Sequence, residues 1–129
     1  MISYKNIVDQ SITKTGLDIS LANKDESHVT VTIAAGNIVK DGIPTGLMSE
    51  KNLDIKVSGA VDTEFYVMLV SHSITQIADV VIMQRSNKSR RIPTLAEFNY
   101  NLVELLAKGS TKRGAADISN VECEINNWV

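Results

Sequence analysis

At 129 residues and 43% hydrophobic, the chain has the length of one domain and enough apolar mass to bury about two-thirds of its unfolded surface without disulfides or metals. No apolar run approaches the roughly 18 residues of a membrane span. The start MISYKNIVDQ lacks a basic-then-apolar leader pattern and Cys123 is the only cysteine, so a soluble protein made in a reducing cytosol is expected. The net charge of −2 is unevenly spread: residues 84–113 carry seven basic and two acidic side chains, a local +5, leaving −7 for the remainder. Such a split bears on partners rather than on fold.

Taken in chain order, the pattern is one of period two. GLDISLA places Leu17, Ile19 and Leu21 on one face, VTVTI does so with Val29, Val31 and Ile33, and LDIKV with Leu53, Ile55 and Val57. Each reads as a strand with one buried and one wet face. After Ile33 the small residues Ala34, Ala35 and Gly36 permit a bend. NIVK then continues extended, and Asp41-Gly42 makes a turn because glycine tolerates positive φ. FYVMLV (65–70) and IADVVIM (77–83) are unbroken apolar runs that suit strands covered on both faces. Turns are expected at NKDES, KDGIPTG, VSGAVD and SHSIT. Residues 94–107 read either as one helix, with Leu95, Phe98, Leu102 and Leu106 at helical spacing, or as a helical turn at 94–99 followed by a strand. The surrounding β pattern favours the second. DISNVECEINNWV supplies a last strand.

The expected fold is therefore all-β, an antiparallel sandwich or barrel with one short helix in the second half. Residues 1–16 form an N-terminal arm and 17–129 a single β domain. One core should take up Val29, Val31, Ile33, Leu53, Ile55, Val57, Tyr66, Met68 and Val80.

The residues of catalysis are sparse. His28 and His72 lack a second ligand at metal-site spacing, and the glycines of AAGNIVKDGIPTG are not ordered as a phosphate loop. Glu122 and Glu124 share one strand face with Cys123 on the other. A pair of carboxylates there could hold a hard cation, but a solvated strand face explains them equally well. No Gly-x-Ser-x-Gly elbow occurs. These residues give no reason to expect an enzyme, a cofactor or a metal.

Three stretches, TIAAGNIVKDG, LDIKVSGAVDTEFYVMLV and LVELLAKGSTKRGAADISNVE, follow one another in an order that resembles a small β-domain of bacteriophage tail-fibre and other virion proteins. The match falls on Ala35, Gly36, Asp41 and Gly42, then Phe65, Tyr66 and Val67, then Leu105, Leu106, Ala107, Lys108, Thr111 and Ile118, within 29–121. The insert QRSNKSRRIPTLAEFNYN is longer and more basic than that pattern, and residues 1–16 lie outside it. The resemblance implies a structural virion part, a capsid decoration protein or a tail-fibre or baseplate module. Such a part would be made in the host cytoplasm and would bind copies of itself and other virion proteins. Candidate interface residues are the large Tyr4 and Trp128 together with the basic Arg85, Lys88, Arg90, Arg91, Lys112 and Arg113. The basic run has no interleaved aromatics, which speaks against nucleic acid, and no membrane contact is expected. A carbohydrate-binding sandwich is the alternative, and it would need exposed aromatics from a chain that has only six.

Overall fold

The computed structural model describes residues 12–40, 42–71, 78–86 and 102–126. Among the described residues it is an all-β, sandwich-like arrangement of ten antiparallel strands, not a closed barrel. The strands are β1 (Ile12–Gly16), β2 (Ile19–Asn23), β3 (His28–Ile33), β4 (Gly36–Lys40), β5 (Ile43–Leu47), β6 (Lys51–Lys56), β7 (Thr63–Ser71), β8 (Asp79–Ser86), β9 (Leu102–Thr111) and β10 (Val121–Ile125). Two sheets, ordered β1-β4-β5 and β2-β3-β6, face a third ordered β10-β9-β7-β8.

The two three-stranded sheets are the halves of one kinked meander. β1 runs into β2, β3 into β4 and β5 into β6, and the pairings Gly16↔Gly36↔Leu47 continue across the break as Ile19↔Ile33↔Lys51. Two backbone hydrogen bonds bridge the break: Leu17 N–H donates to the Ala35 carbonyl (3.3 Å) and Ala34 N–H to the Asp18 carbonyl (2.9 Å). The bend expected after Ile33 is therefore real, but it is shared by all three strands. Gly16 (φ 70°) and Leu17 (φ 59°) turn the first strand. The approach is close enough that a Cβ on Gly36 would strike the Thr15 carbonyl oxygen and the Leu17 amide. Leu17 holds a left-handed conformation unfavourable for a branched side chain, and it does so while buried at 1% exposure.

The kink also changes two readings. IPTG, expected as turn, is strand β5, with Pro44 opposite Val39. Proline is compatible because β5 is an outer strand of its sheet, where one side of the ladder needs no N–H. Residues 12–16, within the expected arm, form β1 and pair with β4, so strand pairing runs through the boundary set at residue 16.

The core between the layers holds Val29, Val31, Ile33, Ile55 and Val57 from the meander, and Phe65, Val67, Leu69, Val80, Leu106 and Val121 from the four-stranded sheet. Leu53 is only half-buried. Tyr66 and Met68 are buried but belong to a second cluster with Val70, on the opposite face of β7. Alternation along the strand requires this: with Phe65, Val67 and Leu69 facing inward, the even-numbered residues must face out. FYVMLV is thus covered on both faces as expected. IADVVIM is covered less fully among its described residues: Val80 is buried and Ile82 packs against the core, Val81 packs against the outer cluster, and residues 81–83 are half-buried.

β9 begins at Leu102, which excludes one helix across 94–107 and agrees with the turn-plus-strand alternative in its strand. The helical turn expected at 94–99 lies outside the described residues. Helical structure among the described residues is a single 3-10 turn at Ile118–Asn120, capped by Asp117. A bulge in β9 opposite Val67 and Met68 lets Leu106 and Ala107 both face the core. Gly109 lies across from Phe65, and its missing Cβ is the space the Phe65 ring takes.

The open sides of the sandwich are stitched by side chains. On one side the Gln84 amide acts like a short strand against β6, accepting from Lys56 N–H and donating to the Lys56 carbonyl, both at 2.9 Å. Ala78 N–H donates to the Gly46 carbonyl on β5 (3.0 Å). On the other side Asn23 accepts from Ile118 N–H (2.8 Å) and donates to Asp117 (3.3 Å).

Candidate functional site

The groups with chemical potential do not form a reaction centre among the described residues. Asp25 Oδ1 lies 3.0 Å and Ser27 Oγ 2.9 Å from the same nitrogen, Nδ1, of His28. A relay needs the serine on one ring nitrogen and the carboxylate on the other, so this grouping is an Asx turn rather than a nucleophile with its base. The Ser27 backbone N–H, then His28, hold the Asp25 carboxyl below the usual carboxylate range. His72 lies outside the described residues.

Cys123 packs against the core, half-buried, and burial raises its thiol pKa, which disfavours the reactive thiolate. Glu122 and Glu124 share the outer face of β10, but Ser110 and Lys108 stand between them and Glu64. No group of three or more His, Cys, Asp or Glu among the described residues is placed to hold a metal ion. No helix among them is long and apolar enough to cross a membrane.

The two aromatics among the described residues, Phe65 and Tyr66, are both buried and offer no stacking platform for a sugar. The Tyr66 hydroxyl donates to Glu64 Oε2 (3.1 Å), and Arg85 lies over its ring at 5.5 Å from the centroid. Burial, then the Glu64 carboxylate, raises the Tyr66 pKa.

A hydrogen-bonded loop tip is better formed. The loops 57–62 and 112–117, with the similar sequences SGAVD and RGAAD, lie together at one end of the four-stranded sheet. Gly114 N–H donates to the Ser58 carbonyl (2.9 Å) and Arg113 N–H to Asp62 Oδ1 (2.8 Å). Ser58 Oγ accepts from the N–H groups of Ala60 (3.1 Å) and Val61 (3.2 Å), and Lys112 N–H donates to the Asn120 carbonyl (2.9 Å). With the backbone so fixed, the loops present Gly59, Ala60, Gly114 and Ala115 with Val61, which is 51% exposed. Small side chains lose little rotamer entropy when a partner covers them.

Lys112 and Arg113 are exposed in this tip, and the pairs Arg85↔Glu64 and Thr63↔Thr111 put Arg85 at the same end of the sheet. Three of the eight candidate interface residues thus share one end. Tyr4, Lys88, Arg90, Arg91 and Trp128 lie outside the described residues. VSGAVD reads by its residues only as a turn, so the exposed Val61 is not among the candidate interface residues. Elsewhere Ile43 (58%) and Met48 (81%) are exposed at either end of β5.

No family model matches the chain, and neither the curated proteins nor the solved structures include a match.

Proposed function

We propose that this chain is a non-enzymatic structural protein of a bacteriophage virion, a capsid decoration protein or a tail-fibre or baseplate module, which works through contacts with its own copies and other virion proteins. The observation that carries this reading is the pair of interlocked small-residue loops. They offer Val61 in a rigid, smooth tip flanked by Lys112 and Arg113, a surface suited to a partner of opposite charge. The resemblance supports it as well. Its three stretches include the kinked ribbon of β3 and β4, the central strand β7 and the neighbouring β9, so it runs through framework rather than through reactive groups.

The test is sedimentation of the purified chain over a concentration series, and its co-sedimentation with phage particles induced from a culture of the source organism. Association should weaken with added salt, because exposed charge contacts are screened. Val61→Asp with Arg113→Glu should abolish association and leave the circular dichroism spectrum unchanged. A chain that stays monomeric at high concentration and sediments with no particle refutes the proposal.

A further inference from the structure

The end of the four-stranded sheet that carries the loop tip also carries unlike charges side by side. On its outer face Glu64, Ser110 and Glu122 form one row across β7, β9 and β10, and Tyr66, Lys108 and Glu124 form the next. These residues line a depression of about 540 Å³. Three carboxylates stand there against one ammonium, that of Lys108, which lies 3.9 Å from Glu124. The basic residues of the tip are close by. Gly109 faces the core beneath Phe65 and Thr111 is fully buried, so alternation turns Ser110 and Lys112 outward. The Lys112 N–H still donates to the Asn120 carbonyl, which keeps Lys112 in line about 7 Å beyond Ser110. Lys112, Arg113, Glu122 and Glu124 are all exposed. Among the described residues, none of Lys112, Arg113 and Glu122 takes part in an ion pair.

A basic and an acidic patch this close on one surface complement each other between two copies. A two-fold axis lying flat on the outer face, across the strands at the level of Thr111, turns a second copy over so that the two faces meet at this end alone. The row of Lys112 in one copy then falls over the row of Ser110 in the other. Lys112 of the partner subunit lands in the gap of about 10 Å between Glu64 and Glu122. The partner's loops fall over the row of Tyr66, Lys108 and Glu124. Those loops carry Gly59, Ala60, Gly114 and Ala115, small enough to enter the depression. The same rotation gives the second copy the same contacts in return, so the charges are matched twice.

We infer that the tip of this chain docks on the acidic depression of a second copy, in a two-fold dimer where Lys112 and Arg113 of each chain meet Glu64, Glu122 and Glu124 of the other. The inference rests on the reading of the tip as a contact surface and names what that surface contacts. Because the contact is isologous, it closes on itself and stops at two chains. It spans only a few rows of the sheet and depends on exposed charges, so association is concentration-dependent and weakens with salt.

Charge reversal on the full chain, read by sedimentation velocity, tests this. Lys112→Glu/Arg113→Glu makes both patches acidic, and Glu122→Lys/Glu124→Lys makes both basic. The wild type should form dimers as its concentration rises, and each variant alone should associate about tenfold or more weakly. An equimolar mixture of the two variants should recover the dimer, because both contacts again join unlike charges. A mixture that stays monomeric, or a wild-type mass above two chains, overturns the inference. A second measurement needs no variant. Isotope-labelled and unlabelled wild type are mixed, treated with a zero-length amine–carboxyl cross-linker and mapped by mass spectrometry. Lys24–Asp54 and Lys51–Asp79, at 2.6 and 2.7 Å, are the positive controls. Lys112 should be joined to Glu64, Glu122 or Glu124 of the other chain; reacted controls without such a link overturn the inference. The proposed function fails separately. If only the tip reversal changes association, or if a monomeric wild type sediments with phage particles, the dimer is wrong and the proposed function stands. A monomer that sediments with no particle refutes both.

Discussion

Gly36 and Gly42 belong to one expected bend-and-turn, yet the structure gives them different reasons to be glycine, and alanine at each separates those reasons. Gly42 sits at φ 79° with nothing near the place of a Cβ. Gly42→Ala therefore carries only the left-handed penalty, about 1–2 kcal/mol, less the 0.4–1 kcal/mol that a stiffer unfolded chain returns, for a net loss of about 1 kcal/mol. At Gly36 the new methyl would lie 2.8 Å from the Gly16 carbonyl carbon and closer still to the Thr15 carbonyl oxygen and Leu17 amide nitrogen. All of these are backbone atoms, so no rotamer change relieves the clash.

The first and second strands of the meander must move apart at the kink. That weakens the Leu17–Ala35 and Ala34–Asp18 hydrogen bonds, at about 1 kcal/mol each, and disturbs the packing of the buried Leu17 and Ile38. Gly36→Ala should cost about 3 kcal/mol or more. With a urea m-value of about 2 kcal/mol/M, the unfolding midpoint should fall by about 0.5 M for Gly42→Ala and about 1.5 M for Gly36→Ala. Equal shifts for the two variants would refute the account of the kink as a line of backbone contact.

Ile55→Ala should cost about 2–5 kcal/mol, and Leu53→Ala clearly less, because Ile55 is fully buried and Leu53 only partly so; chemical denaturation of both checks the strand phase. Gln84→Ala should cost only about 1 kcal/mol globally but speed hydrogen exchange at the Lys56 amide selectively, since that N–H loses its acceptor. Acid titration should show stability falling as pH drops below about 4. Asp25, Asp79 and Asp117 all have lowered pKa values, through the Ser27 N–H, the Lys51 ammonium and the Ser119 N–H respectively. A lowered folded-state pKa contributes stability that is present above the unfolded value and lost as pH falls through the folded one. Asp117→Asn should flatten that decline in a plot of melting temperature against pH.

Period-two alternation by itself determined the class of fold, because a strand with one buried face must repeat every second residue whatever it pairs with. It also placed Val29, Val31, Ile33, Ile55 and Val57 in the core and Glu122 and Glu124 on one face of the last strand, apart from Cys123. Alternation cannot say which face of a doubly covered strand looks inward, so Tyr66 and Met68 were assigned to the wrong cluster; the meander packing against Phe65, Val67 and Leu69 decided that. Nor can local composition show that a glycine faces the backbone of another strand. Gly16 and Gly36 lie 20 residues apart in the sequence and meet only because the hairpin at 24–27 aligns their strands. IPTG reads as a turn by its residues and becomes a strand because β4 offers it a ladder. The loops SGAVD and RGAAD are unremarkable apart. Only the pairing of β7 with β9 brings them side by side, where the hydrogen bonds between Ser58 and Gly114 and between Asp62 and Arg113 make one surface of two turns.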